Sequence, residues 1–215
     1  MTEVLITAGG TVEPIDDVRG ITNFSGGAFG HELARAYAEA GHEVTLLSPR
    51  STIDRFGMID DVRHEYFTST ADLQRQIRLA KSARLVLHAA AVSDYSPVRS
   101  EGKLSSDEDE LIIRLKRNPK LIADFREQFG PEAVLVGFKL LSGVADDALL
   151  AAADRQIRTN GTDFCIANKL EDISADGIRR VVLLSRSGET KELKGETKEV
   201  AALVRSHVGE RRPTA

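Results

Sequence analysis

Apolar residues along the chain fall into short uninterrupted runs, separated by stretches with helical spacing. The first run, Val4-Leu5-Ile6, stops at Ala8-Gly9-Gly10, as a strand buried on both faces does. Residues 43–48, 84–89, 133–138 and 163–167 repeat the pattern, each ending in small or polar residues. Between them, residues 28–40 place Leu33, Ala34, Tyr37 and Ala38 on one helical face. Residues 70–80 do the same with Leu73, Ile77 and Ala80, and residues 145–158 with Ala148, Leu149, Ala152 and Ile157. This alternation predicts an α/β fold, a Rossmann-like parallel sheet with helices on both faces. Arg179 to Arg186 and Thr190 to Leu193 flank Ser187-Gly188-Glu189, the signal of a C-terminal β-hairpin, and a last helix is expected over about 196–208. With no internal repeat and no low-complexity linker, the expectation is one domain over 1–215 with residues 209–215 as a frayed tail.

Two stretches do not fit simple elements, and long loops inside compact domains are often functional. One runs from Gly9 to Gly30, between the first strand and the body of its helix, and the other from Ser93 to Asp107, polar and charged throughout. Both follow strands, so both are expected beyond the carboxyl ends of the sheet, where ligands bind in open α/β folds.

Composition narrows the function classes. The 215 residues carry 29 basic and 33 acidic side chains, a formal net charge of -4, which argues against a general nucleic-acid binder. The longest apolar runs, such as Leu85 to Val92, fall far short of the roughly 20 residues needed to cross a bilayer, so no membrane association is expected. The N-terminus has an acid, Glu3, where a secretory signal wants positive charge, and Cys165 is the single cysteine, so a cytoplasmic protein without disulfides is expected.

The glycine clusters Ala8-Gly9-Gly10-Thr11 and Ser25-Gly26-Gly27-Ala28-Phe29-Gly30 lie in one strand-to-helix connection. Glycines let backbone approach a ligand, and free N–H groups at a helix start favour an anion, so a phosphate or nucleotide cradle is read here over a pair of tight turns. The close dinucleotide fingerprint is absent, because Thr11 to Phe24 is inserted. Tyr37, Tyr66 and Tyr95 are followed four residues on by Gly41, Thr70 and Arg99, not by the lysine that a short-chain dehydrogenase pairs with its tyrosine. Inside the insertion Arg19 can clamp an anion and Asn23 can donate to a developing oxyanion. Glu13, Asp16 and Asp17 are either cation ligands or solvated acids, Asp94 either a ribose or cation contact or a cap, and Lys103 either a triphosphate contact or an exposed lysine. Ala89, Ala90 and Ala91 let a flat ligand lie against the backbone. His88 and Cys165 read as core residues, and the five histidines are too scattered for a zinc site. Arg114, Lys116, Arg117 and Lys120 form a basic cluster, with Arg114 and Lys116 on one face if Leu111 to Leu115 is a strand.

Taken together, Ile6 to Asp16, Val18 to Gly26, Ala89-Ala90-Ala91-Val92-Ser93-Asp94-Tyr95, Lys103-Leu104-Ser105-Ser106, Asn118-Pro119-Lys120, Val136 to Leu140 and Ile166-Ala167-Asn168 resemble phosphopantothenoylcysteine synthetase over nearly the whole chain. The resemblance implies a ligase that joins 4'-phosphopantothenate to L-cysteine in coenzyme A biosynthesis, with Mg2+ and CTP or ATP as co-substrate, through an acyl-nucleotidyl intermediate. It implies a mobile flap at about 96–108 whose Lys103 stabilises the α-phosphate, Asn23 binding the acyl intermediate, and Arg19 serving the half-reaction with cysteine. Ser25, Gly26, Gly27 and Phe29 match the triphosphate cradle, Ala91 the small residue beside the substrate, Asp94 the nucleotide-sugar or cation contact, Phe138 the base pocket and Asn168 the nucleotide end, while Gly9, Gly10 and Ala90 are nucleotide-binding candidates from the glycine and alanine runs themselves. Metal ligands are not assigned. A homodimer with composite sites is implied.

Two departures stand out: the family's Asn-x-Ser-Ser-Gly is Asn23-Phe24-Ser25-Gly26-Gly27 here, and Lys103 lacks a second lysine two residues on. The length leaves no room for the flavin-dependent decarboxylase fused in many bacterial enzymes, so the stand-alone bacterial type, which uses CTP, is expected. Two other readings remain open, an NAD(P)-dependent reductase of extended Rossmann type and a non-catalytic nucleotide-binding relative.

Overall fold

The structure, a computed structural model, describes residues 1–100, 102–105, 109–174 and 177–209. In chain order the elements are β1 (Glu3–Thr7), β2 (Val12–Pro14), β3 (Gly20–Thr22), α1 (Ala28–Glu39), β4 (Glu43–Ser48), α2 (Arg50–Phe56), β5 (Val62–Tyr66), α3 (Thr70–Leu79) and β6 (Leu85–His88). There follow β7 (Tyr95–Pro97), β8 (Leu115–Arg117), α4 (Phe125–Phe129), β9 (Val134–Leu141), α5 (Asp146–Asn160), β10 (Phe164–Lys169), β11 (Ile178–Ser185), β12 (Thr190–Glu196) and α6 (Thr197–Gly209).

The central sheet has eight strands in the order β12-β11-β10-β9-β6-β1-β4-β5. Strands β5 to β10 of this order run parallel, and the hairpin β11–β12 adds two antiparallel strands at one edge. The α/β expectation and the C-terminal hairpin are therefore borne out.

Side chains of β1 alternate between two cores. Val4 and Ile6 pack with Leu33 and Tyr37 of α1 and Val204 of α6, whereas Leu5 packs with Leu73 and Ile77 of α3 and Phe125 of α4. A strand covered by helices on both faces must be apolar at every position, which is why its sequence shows no alternation. Truncating Leu5, wholly buried, to alanine would cost about 2–5 kcal/mol.

From β1 the chain builds outward to β4 and β5, then crosses back to place β6 on the other side of β1. This reversal opens a crevice beyond the carboxyl ends of β1 and β6, the position at which open α/β sheets bind ligands.

Three features differ from expectation. Strand β5, Val62-Arg63-His64-Glu65-Tyr66, is an edge strand without buried residues, so it lacks the apolar run that marks the interior strands. The insertion after β1 is not plain loop but carries the antiparallel ribbon β2–β3, and the second long stretch carries the ribbon β7–β8. The strand expected at Leu111 to Leu115 instead spans Leu115–Arg117, so Arg114 precedes it and does not share a strand face with Lys116. Glu101 and residues 106–108 of the expected flap, and residues 210–215 of the expected tail, lie outside the described residues. No helix among the described residues is long and apolar enough to cross a membrane.

Candidate active site

The crevice is built on close backbone contact. Beyond β1 and β6 a further parallel bridge joins Gly10 to Ala91, with Ala91 N–H donating to the Gly9 carbonyl at 2.8 Å. Gly9 takes a left-handed φ of 81°, and a Cβ there would stand 2.6 Å from Pro49 Cδ. The chain then returns over this surface: Gly10 N–H donates to Ser25 O at 3.2 Å, and Asn23 Nδ2 lies 3.4 Å from Ala91 O. Gly9, Gly10, Asn23, Ser25 and Ala91 thus converge at one point, and Ala90 N–H joins them through Thr7 Oγ1 at 3.2 Å.

Helix α1 begins at this point. Gly27 is its N-cap in left-handed conformation, with no side-chain cap and no acid in the first turn, so the leading N–H groups are open to an anion. Thr52 Oγ1 of α2 donates to Gly26 O at 3.3 Å, and a Cβ on Gly26 would lie 3.2 Å from Arg55 Nη1, which puts a cation on the rim. Phe29, in the first turn, meets the ring of Phe138 edge-on at 5.9 Å. The guanidinium of Arg179 lies over the other aromatic partner, Phe29, at 4.6 Å from the ring centre.

Arg179 and Arg180 start β11 beside the carboxyl end of β10, and they are treated very differently. Arg180 donates to Asp146 and Glu192 at 2.8 Å each. Arg179 meets no acid among the described residues, its Nε is buried without an acceptor, and burial pushes its pKa down. Neither Arg55 nor Arg179 was singled out from the sequence, because each reads there as an ordinary charged residue on a strand or helix.

The other candidates make no hydrogen bond or ring contact with this centre among the described residues, and Arg19 stands at the turn of the β2–β3 ribbon, the end away from Asn23. Asn168 is buried at the end of β10 and donates to Lys169 O at 3.1 Å. Lys103 is exposed. Arg19 is engaged, with Nε and Nη2 on Asp16 Oδ2 at 2.9 and 2.6 Å and Nη2 also on Leu104 O at 2.8 Å. The guanidinium and backbone N–H groups around Asp16 hold its carboxyl well below the usual carboxylate range.

Of the acids of the insertion, Glu13 and Asp16 are buried and Asp17 is exposed, and they are not gathered as cation ligands. Glu13 is buried and accepts from Thr70 N–H at 2.8 Å, Thr70 Oγ1 at 2.7 Å and Ser96 Oγ at 2.7 Å, fastening the ribbon to the start of α3. Asp17 pairs with Arg99 at 2.7 Å. Asp94 is paired with Lys120, which gives one member of the basic cluster a partner. Among the described residues no group of three or more His, Cys, Asp or Glu could hold a metal ion. His88 is buried against Phe125, as expected of a core histidine, with its pKa lowered to about 4 by desolvation. Cys165 is buried, and burial pushes its thiol up to about 12.

A groove of about 510 Å3 lies at the opposite edge, lined by Glu3, Glu43, Arg63, Glu65 and Gln76 among others, and none of the candidate residues reaches it. The carboxyl edge holds the convergent glycines, alanines and amide.

The chain matches, over residues 1–209, the family model described as DNA/pantothenate metabolism flavoprotein C-terminal domain. It is 33% identical over 199 residues to the coenzyme A biosynthesis bifunctional protein CoaBC of Methanocaldococcus jannaschii, covering 92% of this chain and 48% of the relative. The chain therefore spans about half the length of that curated relative. The crystal structure of the DNA/pantothenate metabolism flavoprotein from Streptococcus pneumoniae matches with a TM-score of 0.87 at 28% identity, over 98% of this chain and 99% of that one. A Cab2 variant in complex with phosphopantothenate-cysteine shares the fold, with a TM-score of 0.79 at 21% identity over 98% of this chain and 86% of that one.

Proposed function

The chain belongs to the DNA/pantothenate metabolism flavoprotein C-terminal domain family, and from that premise we propose that it is a ligase joining 4'-phosphopantothenate to L-cysteine in coenzyme A biosynthesis. The observation that carries this reading is the convergence of Asn23, Gly10 and Ala91 beside the uncapped start of α1. An amide and backbone N–H groups there meet the needs of an acyl-phosphate chemistry in which an anion must approach a polyanion.

In the first half-reaction the substrate carboxylate attacks the α-phosphorus of a nucleoside triphosphate. A carboxyl O–P bond forms and the bond to pyrophosphate breaks. In the second, the amine of cysteine attacks the acyl carbon, the C–O bond to phosphorus breaks, and the nucleoside monophosphate leaves with release of the amine proton. Gly9, Gly10, Ser25, Gly26, Gly27 and Phe29 cradle the phosphates against the α1 dipole, and Lys103 offsets charge on the α-phosphate. Asn23 holds the acyl intermediate, and Arg19 supports the cysteine step. Phe138 and Asn168 hold the nucleoside, with Ala90 and Ala91 giving the substrate a flat wall and Asp94 near the sugar.

CTP is favoured over ATP on the resemblance of the Gly137-Phe138-Lys139-Leu140-Leu141 stretch to the bacterial type. Mg2+ would be held chiefly by the triphosphate as part of the co-substrate, a mode that needs only one or two protein carboxylates, and would offset charge on the phosphates. A homodimer is supported by Val12, Val18, Phe24, Val98 and Ile112, large apolar side chains left exposed on or next to the two adjoining ribbons. A cytoplasmic location is supported by the lone, buried, unpaired Cys165.

The test is to supply 4'-phosphopantothenate, Mg2+ and either CTP or ATP, with and without L-cysteine, and to measure pyrophosphate and phosphopantothenoylcysteine. Pyrophosphate without cysteine and ligated product with it are expected, with CTP preferred. Asn23→Asp and Lys103→Gln are expected to slow pyrophosphate formation or use of the intermediate by about 10²-fold or more. Wild-type rates in both variants, or no product with either nucleotide, would overturn the reading.

A further inference from the structure

Asp16 occupies the turn of the β2–β3 ribbon with its side chain fully buried. Its two oxygens do separate work. Oδ1 accepts from the N–H groups of Val18 at 2.9 Å and Arg19 at 2.8 Å, which closes the turn. Oδ2 accepts from the Arg19 guanidinium and, at 3.1 Å, from the N–H of Leu104, 88 residues away in sequence. Arg19 Nη2 completes the set by donating to the Leu104 carbonyl at 2.8 Å. One ion pair, buried on its Asp16 side and partly exposed on its Arg19 side, therefore satisfies both backbone groups of Leu104, the residue that follows Lys103. The same two segments are joined again by Arg99 on Asp17 at 2.7 Å and by Ser100 N–H on Ile15 O at 3.0 Å.

We propose that Asp16 and Arg19 form a latch that positions Lys103, by tying Leu104 to the ribbon whose return strand leads from Arg19 to Asn23. A flexible lysine is effective only if its backbone is held, since ordering it at the moment of reaction would cost entropy. The latch ties the segment that carries the lysine to the ribbon that leads to the amide, through hydrogen bonds to a planar fork, which a lysine at position 19 could not provide. The depressed carboxyl of Asp16 keeps the acceptor ionised throughout the range in which such an enzyme works. Asp16 is thus a positioning residue, and part of what Arg19 contributes is exerted through Leu104. This inference rests on the role given to Lys103 above.

Asp16→Asn separates the latch from the turn. The amide oxygen keeps the place of Oδ1 and its two backbone donors, while the amide nitrogen faces only donors where Oδ2 stood. Leu104→Pro is the second variant, because it removes the N–H without touching the turn. In hydrogen exchange, Asp16→Asn is expected to speed the Leu104 amide by about tenfold or more, as local opening becomes easier. In the half-reaction without cysteine, both variants are expected to lower kcat for pyrophosphate release by about 10²-fold, with the KM for phosphopantothenate little changed and the thermal transition retained. Unchanged Leu104 exchange in Asp16→Asn overturns the latch, and faster exchange with wild-type kcat overturns its positioning role. Should the wild type release no pyrophosphate with any nucleotide, the functional reading itself fails, while exchange still decides whether the latch exists.

Discussion

Gly10 lies so close beneath Asn23 that a methyl group on its Cα would stand 2.6 Å from the Asn23 carbonyl oxygen. The same methyl would meet Thr22 Oγ1 at 3.3 Å, so the residues leading to Ser25 must shift outward to admit it. Gly10→Ala is therefore expected to lower the rate of pyrophosphate formation by about 10²-fold, the cost of a roughly 1 Å misplacement. The strain should cost about 1–3 kcal/mol, leaving a folded protein in a thermal melt. A wild-type half-reaction rate would mean that the position of Asn23 is not used.

Gly137 serves a second close approach, on the opposite side of Phe138. Its missing Cβ leaves room for Gln156, whose amide carbon would stand 3.0 Å from such an atom. Gln156 Nε2 donates to Phe138 O at 2.9 Å, and Cys165 Sγ donates to Gln156 Oε1 at 2.7 Å. Gln156→Leu leaves a carbonyl and a thiol without these partners and is expected to cost about 1–3 kcal/mol in chemical denaturation. A Phe138 displaced by this change should also raise the KM for the nucleotide more than that for phosphopantothenate. Equal effects on both would detach Gln156 from the nucleoside pocket.

The parts legible in the sequence are those where the backbone itself forms the candidate site or the buried strand. Gly9, Gly10, Gly27, Ala90 and Ala91 announce themselves because close approach and left-handed conformation admit few other residues, and Val4 to Ile6 because a doubly covered strand must be apolar. The polar framework was hidden for the opposite reason. Glu13 and Asp16 look like solvated acids or cation ligands until Thr70, Ser96 and Leu104 arrive from distant segments to satisfy them. Asp94, by resemblance a nucleotide-sugar or cation contact, has in addition a partner in Lys120 that no local pattern predicts. Arg179 is the clearest case, since nothing in Ile178-Arg179-Arg180 says which arginine faces the acids and which faces Phe29.

His88 gives the protein an acid-sensitive limb. Burial lowers its pKa from 6.5 to about 4, so between those values the unfolded chain binds a proton that the folded chain refuses. Stability from this group is complete above pH 6.5 and is lost progressively as pH falls towards 4, by about 3 kcal/mol in all. Urea unfolding at pH 7 and pH 5 should show this slope in the wild type, and His88→Gln should flatten it. An identical slope in the variant would assign the acid limb to other groups.

Arg179 is expected to trade stability for binding. A half-buried guanidinium against Phe29 without an acid among the described residues, and with a buried Nε lacking an acceptor, costs desolvation free energy that its stacking only partly offsets. Arg179→Met keeps the apolar contact with Phe29 and removes the charge, so the ligand-free variant should be more stable, by about 2–4 °C in Tm for each kcal/mol recovered. An acceptor-rich ligand at the start of α1 would satisfy the same guanidinium, so the variant should bind the triphosphate about tenfold or more weakly. Titration with the Mg2+ complexes of CTP and CMP, and separately with phosphopantothenate, identifies which phosphate is involved. Loss confined to CTP would put Arg179 on the outer phosphates, and a matching loss with CMP would put it nearer the nucleoside. Lower stability with unchanged affinity for all three ligands would make Arg179 a packing residue of the β11 edge and nothing more.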